Sequence, residues 1–268
     1  MRIDPGVNGS LAPDATTFAP GMRLLKRTPR TDVYRLYRVL RTVDDLVDED
    51  RPQAAQRVDA LEQWASDQRD TSPETHVLSQ LARHYPLPAS ALVDFCQAMR
   101  HDIARDTIDT EDDLELYCER AGGAVGIMVS SLLGISEPED LTRMATLGRA
   151  VQRTNILRDI DEDLVFRRVY IARTTIDRFG HPRPGARAEL LRNQIAVADE
   201  LYEKAAIRPR SRPQRAIALS AALYREILRQ IEREGYGREP GRVTVPAWRN
   251  KLLIAEHRLR LHLTSAAI

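Results

Sequence analysis

Three observations predict a single all-α domain spanning residues 1–268. Apolar side chains recur at three- and four-residue steps, as in Leu219, Leu223, Ile227 and Ile231, with Ile217, Tyr224 and Leu228 widening the same stripe. That period is the signature of a helix with one apolar face. The 13 glycines and 15 prolines gather at 1–21, 71–73, 86–88, 180–185, 208–213 and 235–246 instead of scattering, so they punctuate long uninterrupted segments. No alternating apolar/polar stretch of strand length, bounded by turn residues, competes with the helical pattern. No shift in composition and no fixed-period repeat divides the chain, and residues 1–13 read as a flexible N-terminal extension.

The spacing predicts helices over 31–50, 54–69, 75–84, 88–107, 111–134, 138–164, 173–179, 186–207, 213–234 and 246–263. Several boundaries carry a physical signal. Thr110 precedes Glu111, Asp112 and Asp113, acids that favour the positive end of a helix dipole. Ser136 offers an N-cap before Pro138 and Glu139. Gly235 stands where a glycine stops a helix.

Forty Lys and Arg against 39 Asp and Glu leave a net charge of +1, which argues against a nucleic-acid binder working by bulk attraction. Hydrophobic residues make up 43% of the chain, enough for a substantial core, yet no run of 18 apolar residues offers a membrane span. The N-terminus lacks the apolar stretch of a secretory signal. Cys96 and Cys118 make neither a disulfide framework nor a zinc site. These features predict a cytoplasmic protein.

Two acidic patches lie on helices that a large all-α domain should bury. One runs from Arg41 to Asp50, the other from Gln152 to Asp163. Asp44 and Asp48 are four residues apart and share a helix face; Asn155, Asp159 and Asp163 repeat that step, with Gln152 three residues before Asn155. Like charges at this spacing repel, so a positive partner is required. If the two helices pack side by side, five oxygen-bearing side chains converge. Hard oxygen ligands of this kind suit Mg²⁺ shared with substrate phosphates, several ions making a diphosphate a better leaving group. An apolar helical interior would then shelter a carbocation from water. The blander reading is a solvated acidic face paired with Arg41 and Arg158.

The stretch from Tyr34 to Glu49 resembles the first aspartate-rich helix of the squalene/phytoene synthases, head-to-head members of the trans-isoprenyl diphosphate synthase superfamily. Leu116 to Met128 resembles the helix lining that family's reaction cavity. Gln152 to Asp163, followed by Arg168, Val169 and Tyr170, resembles its second aspartate-rich helix. Tyr224 to Leu228, Gly235-Tyr236 and Arg242 to Lys251 resemble its C-terminal signature. The match runs colinearly over roughly residues 14–255, a highly specific set of motifs. The resemblance implies an isoprenoid-synthase-type bundle with a central apolar cavity, and an enzyme that joins two farnesyl or geranylgeranyl diphosphates through a cyclopropylcarbinyl diphosphate to a phytoene-, dehydrosqualene- or squalene-type product. By position, Asp44, Asp48, Asn155, Asp159 and Asp163 would hold several Mg²⁺ ions. Thr17, Arg41 and Arg158 would contact phosphate. Tyr37, Tyr117, Gln152 and Tyr170 would lie near the departing diphosphate, orienting it or relaying a proton. Gly123, Val125 and Gly126 would form the wall a prenyl chain passes closely, and Phe18, Met22, Tyr34 and Tyr224 would shape the rest of the cavity.

The sequence departs from the family at Leu40, where a small residue is usual, at Arg167, where glycine is common, and at Ala172, where proline is usual. Glu119 and Ala121 also differ, and the segment before Phe18 lacks the usual hydroxyl/His pairing. None of these positions is a metal ligand. A class I terpene synthase cyclising a single prenyl diphosphate is the alternative reading, and a non-catalytic scaffold relative a third. No Gly-rich dinucleotide fingerprint occurs, so NADPH is disfavoured, though reductive relatives lack that fingerprint too. His101-Asp102 reads as a solvated helix face, with bracing of a neighbouring helix by Asp102 as the alternative. The other five histidines show no ligand spacing, and Arg208 to Pro213 reads as a solvated connection. The last helix sets Arg249, Lys251, Arg258 and Arg260 beside Leu252, Leu253, Ile254, Leu259 and Leu261, a pattern compatible with peripheral membrane contact or with core packing.

Overall fold

The structure, a computed structural model, describes residues 17–265, so the predicted extension at 1–13 lies outside the described residues. The described residues form helices α1 (Ala19–Met22), α2 (Arg27–Asp48), α3 (Ala54–Asp67), α4 (Pro73–Ala82), α5 (Ala89–Ala104), α6 (Glu111–Cys118), α7 (Ala124–Leu132), α8 (Pro138–Val165), α9 (Arg173–Phe179), α10 (Ala188–Ala205), α11 (Arg212–Arg233) and α12 (Ala247–Ser265). A π-turn, Glu119–Gly123, joins α6 to α7. The predicted helices are all present, the one expected over 111–134 being split by that turn. The Thr110 cap is a full capping box with Asp113, and Gly235 adopts the left-handed backbone that ends α11. Ser136 does not cap: Glu137 holds the cap position of α8 and Pro138 opens the first turn. Helix α2 begins four residues earlier than expected because Pro29 falls in its first turn, where the missing N–H has no intrahelical acceptor to lose.

The longest helix, α8, runs through the bundle against α6, the π-turn, α7, α10 and α11. Met144, Leu147, Ala150, Ile156, Leu157 and Ile160 bury its apolar surface, and the buried residues of the surrounding helices join them in one contiguous cluster. Arg153, 3% exposed, is the charged exception on α8. Its guanidinium donates to Glu111 and Glu115 of α6 and to Gln194 of α10, so the buried cation is paired and tethers three helices. Both cysteines are free and buried. Among the described residues no helix is long and apolar enough to cross a membrane. Helix α12 exposes Trp248, Leu252 and Leu259.

Candidate active site

The acid-bearing helices α2 and α8 both pack on α7 and not extensively on each other, so the side-by-side packing on which convergence was conditional is replaced by a shared neighbour. They face one another across a gap. The charge of Asp48 is felt at Asp163, and that of Arg158 at Tyr37. Each helix ends just past its last acid in the same way. In α8, the Arg168 N–H donates to the Asp163 carbonyl and the Arg167 N–H to that of Leu164, with Arg167 left-handed at φ +58°. In α2, Arg51 and Asp50 bond back to Leu46 and Val47, with Asp50 left-handed at φ +49°. Both are Schellman turns. The one closing α8 sends Arg168 across to α2, where it bonds the Asp48 carboxylate and, at 2.7 Å, the Val47 carbonyl.

Three of the four repeated acids have a positive partner: Asp44, Asp48 (through Arg168) and Asp159. Arg41 pairs with Asp44 at 2.7 Å and Asp45 at 2.8 Å. Arg158 forks onto its neighbour Asp159, while Arg242, from the segment before α12, reaches Asp159 at 3.3 Å and Glu162 at 3.0 Å. Asp163 has no ion-pair partner among the described residues. Desolvation by the surrounding protein, reinforced by Asp159 and Asp48, pushes its carboxyl up to about 8. Desolvation and the charge of Asp48 push Asp44 up to about 7. Asp48 is raised as well, by burial against the opposing pull of Arg168.

The side-chain oxygen of Asn155 is buried without a hydrogen-bond partner. An orphaned amide oxygen one turn before Asp159, with under-neutralised carboxylates on both sides of the gap, is a donor set that fits a hard divalent cation. No three His, Cys, Asp or Glu side chains among the described residues close on one point by themselves. Phosphate oxygens and water would complete such an ion's octahedral shell.

Tyr117 is buried and Tyr170 lines a cleft with Ile156, Ile160, Asp163 and Arg168. Their rings stack at 5.1 Å. Both hydroxyls donate to Asp102, Tyr117 at 2.9 Å and Tyr170 at 3.0 Å. Asp102 is 5% exposed, which overturns the solvated-face reading and favours the bracing one. Sequence reasoning missed its part in the site, as it did those of Arg168 and Arg242 in neutralising the acids. The partners of Arg168 and Arg242 lie 120 and 83 residues away, a separation that no local pattern reports. At the other end of the gap, Phe18 packs edge-on to Tyr37 at 4.9 Å and stacks on Tyr34 at 6.4 Å. Tyr224 sits against Arg158. Thr17 is half-buried just before α1, and Met22 lies within the core.

A Cβ on Gly126 would lie 2.3 Å from the Met144 carbonyl, so its smallness lets α7 close on α8. Gly123 is crowded only by the Glu119 side chain. Gly122 and Gly148 touch backbone to backbone, and Gln152 sits beside Gly122. Val125 packs half-buried against the core.

A sequence model of the squalene/phytoene synthase family matches residues 11–249. The presqualene diphosphate synthase of Sinorhizobium fredii is 33% identical over 250 residues, covering 85% of this chain and 88% of its own. The 15-cis-phytoene synthase of Synechococcus elongatus is 32% identical over 267 residues, covering 88% and 85%. Among solved structures, a dehydrosqualene synthase in complex with ligand superposes with a TM-score of 0.83 at 27% identity, over 93% of each chain. A squalene synthase from Alicyclobacillus acidocaldarius gives 0.72 at 26% identity, over 83% of this chain and 90% of that one. The helical bundle is the all-α isoprenoid-synthase fold of these neighbours. The chain belongs to the squalene/phytoene synthase family of prenyltransferases.

Proposed function

We propose that this protein joins two prenyl diphosphates head to head, through a cyclopropylcarbinyl diphosphate, in a Mg²⁺-dependent reaction. The observation that carries the reading is the pair of acid faces on α2 and α8, opposed across one gap, with the buried Asn155 oxygen unpartnered one turn before Asp159. Asp44 and Asp48 would hold cations from one side, and Asn155, Asp159 and Asp163 from the other. Mg²⁺ held by these oxygens would supply positive charge to offset that which develops on the diphosphate as it leaves. Arg41 and Arg158 exchange their carboxylate partners for phosphate oxygens, which a planar guanidinium fork contacts two at a time. Thr17 adds a hydroxyl on the phosphate side, and Tyr37 and Gln152 orient the leaving group. Phe18, Tyr34, Tyr224 and Val125 exclude water around the prenyl chains, and Tyr117 and Tyr170 face the cation formed there. The products named for the two curated relatives, presqualene diphosphate and 15-cis-phytoene, support a coupled product that is released or deprotonated without a reductant.

The test is to incubate the purified protein with Mg²⁺ and farnesyl or geranylgeranyl diphosphate, without NADPH, and to weigh the extracted products before and after phosphatase treatment. A C30 or C40 product is expected. A C15 or C20 hydrocarbon as the main product would replace the coupling reading with single-substrate cyclisation.

A further inference from the structure

Asp102 lies in the last turn of α5, almost wholly buried. Its two oxygens are divided between two tyrosines from different parts of the chain. Oδ2 accepts the Tyr117 hydroxyl of α6 at 2.9 Å, and Oδ1 accepts the Tyr170 hydroxyl, from the segment before α9, at 3.0 Å. The neighbouring His101 does not compete. Its Nδ1 is 3.6 Å from Oδ1, too far for a hydrogen bond, and has no other partner.

A phenol carries one proton, and a carboxylate accepts without donating. Both tyrosine protons are thus spent on Asp102, in bonds that an anionic acceptor makes short and strong. The Arg168 guanidinium sits against the Tyr170 hydroxyl and takes one lone pair there; what each phenol oxygen still offers its surroundings is a lone pair. We propose that Asp102 is a positioning residue, fixing Tyr117 and Tyr170 so that both present oxygen lone pairs, and not protons, to the reacting prenyl chain. The inference rests on the head-to-head reading above and refines it. The two tyrosines stabilise positive charge, or take up a proton from the cation while passing their own to the Asp102 carboxylate, whereas donation to the leaving diphosphate falls to Arg41, Arg158 and the other groups of that end. The stacked rings, 5.1 Å apart, keep the two oxygens side by side above one carboxylate.

The variant Asp102→Asn tests this in the full-length protein, because an amide must donate to one of the tyrosine oxygens and so blocks a lone pair. Loss of a supporting partner of this kind costs about 10–100-fold, and kcat is expected to fall by that factor. The KM for the prenyl diphosphate, the Mg²⁺ concentration for half-maximal rate and the unfolding temperature should stay near their wild-type values. Because Asp102 acts through the hydroxyls, Asp102→Asn should cost markedly less when introduced into Tyr117→Phe or Tyr170→Phe than into the wild type. An unchanged kcat overturns the proposal, as does full additivity with both tyrosine variants. A large shift in the Mg²⁺ requirement with kcat retained also overturns it, since Asp102 would then act on the cations. Should Asp102→Asn fail to fold, Asp102→Glu, which displaces the carboxylate by one methylene, is read on the same criteria. A wild-type protein that yields no coupled product defeats the head-to-head reading instead, and the Asp102 comparison is then made on the product it does form.

Discussion

Arg167 is a small departure from the family pattern with a measurable consequence. It occupies the position after the C-cap of α8 at φ +58°, a left-handed conformation that a Cβ disfavours by about 1–2 kcal/mol. Its side chain is exposed and makes no hydrogen bond or ion pair among the described residues that would offset that cost. Glycine at this position removes the strain but gives back part of the gain as unfolded-state entropy. Arg167→Gly should therefore stabilise the protein by about 0.5–1 kcal/mol, a rise of about 2 °C in Tm for a chain of this length. Thermal unfolding checks it, and a lower Tm would mean that the arginine contributes something the geometry does not show. Ala172, the other departure beside the site, keeps a proline-like φ of −56° at the cap of α9, so the backbone conformation survives without the ring. Leu40 is simply core, 4% exposed. Single residues of this kind were legible in the sequence as departures, but not their meaning. Asp102 was read as a solvated helical acid because charged helix faces usually are; its burial depends on Tyr117 and Tyr170, 15 and 68 residues further on.

At the level of elements, most of the fold could be read from periodicity and punctuation, and the places that could not are set by packing. The span 111–134 carries an unbroken helical pattern, yet the chain widens into a π-turn at Glu119–Gly123. The cause lies on α8, outside the local sequence. Gly122 and Gly148 meet backbone to backbone, so that a Cβ on Gly148 would sit 2.1 Å from the Gly122 carbonyl and 2.9 Å from the Gly123 Cα. No flexible side chain is available there to move aside. Gly148→Ala is expected to destabilise the protein by about 1–3 kcal/mol, the usual cost of overpacking, or more if the helices separate. It should also reduce activity beyond what stability explains, since Gln152 sits one turn further along α8 against Gly122. Urea unfolding beside steady-state rates measures both effects, and a neutral result on stability would show that the contact yields easily. The i,i+4 acids were equally legible as two faces; what sequence could not supply was the third helix, α7, that spaces them apart.

For the whole molecule, the proposed cation site on the acid faces would make stability and cation binding a single linked equilibrium. Asp44 and Asp163 have carboxyls held at about 7 and about 8 in the folded protein, against an ordinary value of 3.8. Between those limits the folded chain keeps protons that the unfolded chain has released. The unfolded state binds fewer protons there, so stability falls as pH rises. The contribution is complete below about pH 4 and lost once pH passes about 8. Asp48, raised in the same direction, adds to the slope. Cations that bind the same oxygens must displace those protons, so Mg²⁺ affinity, and with it the stabilisation that ligand binding confers on the folded state, grows over the same range. The Tm of the metal-free protein should therefore decline from pH 6 to pH 8.5, and the rise in Tm on adding millimolar Mg²⁺ should be larger at pH 8.5 than at pH 6. Replacing both groups, in Asp44→Asn/Asp163→Asn, should flatten the decline and abolish most of the Mg²⁺ effect. A decline that persists unchanged in that double variant would place the titrating groups elsewhere in the bundle. A Mg²⁺ effect that is equal at both pH values would mean that the cation does not compete for these carboxylates, and would remove them from the proposed diphosphate site.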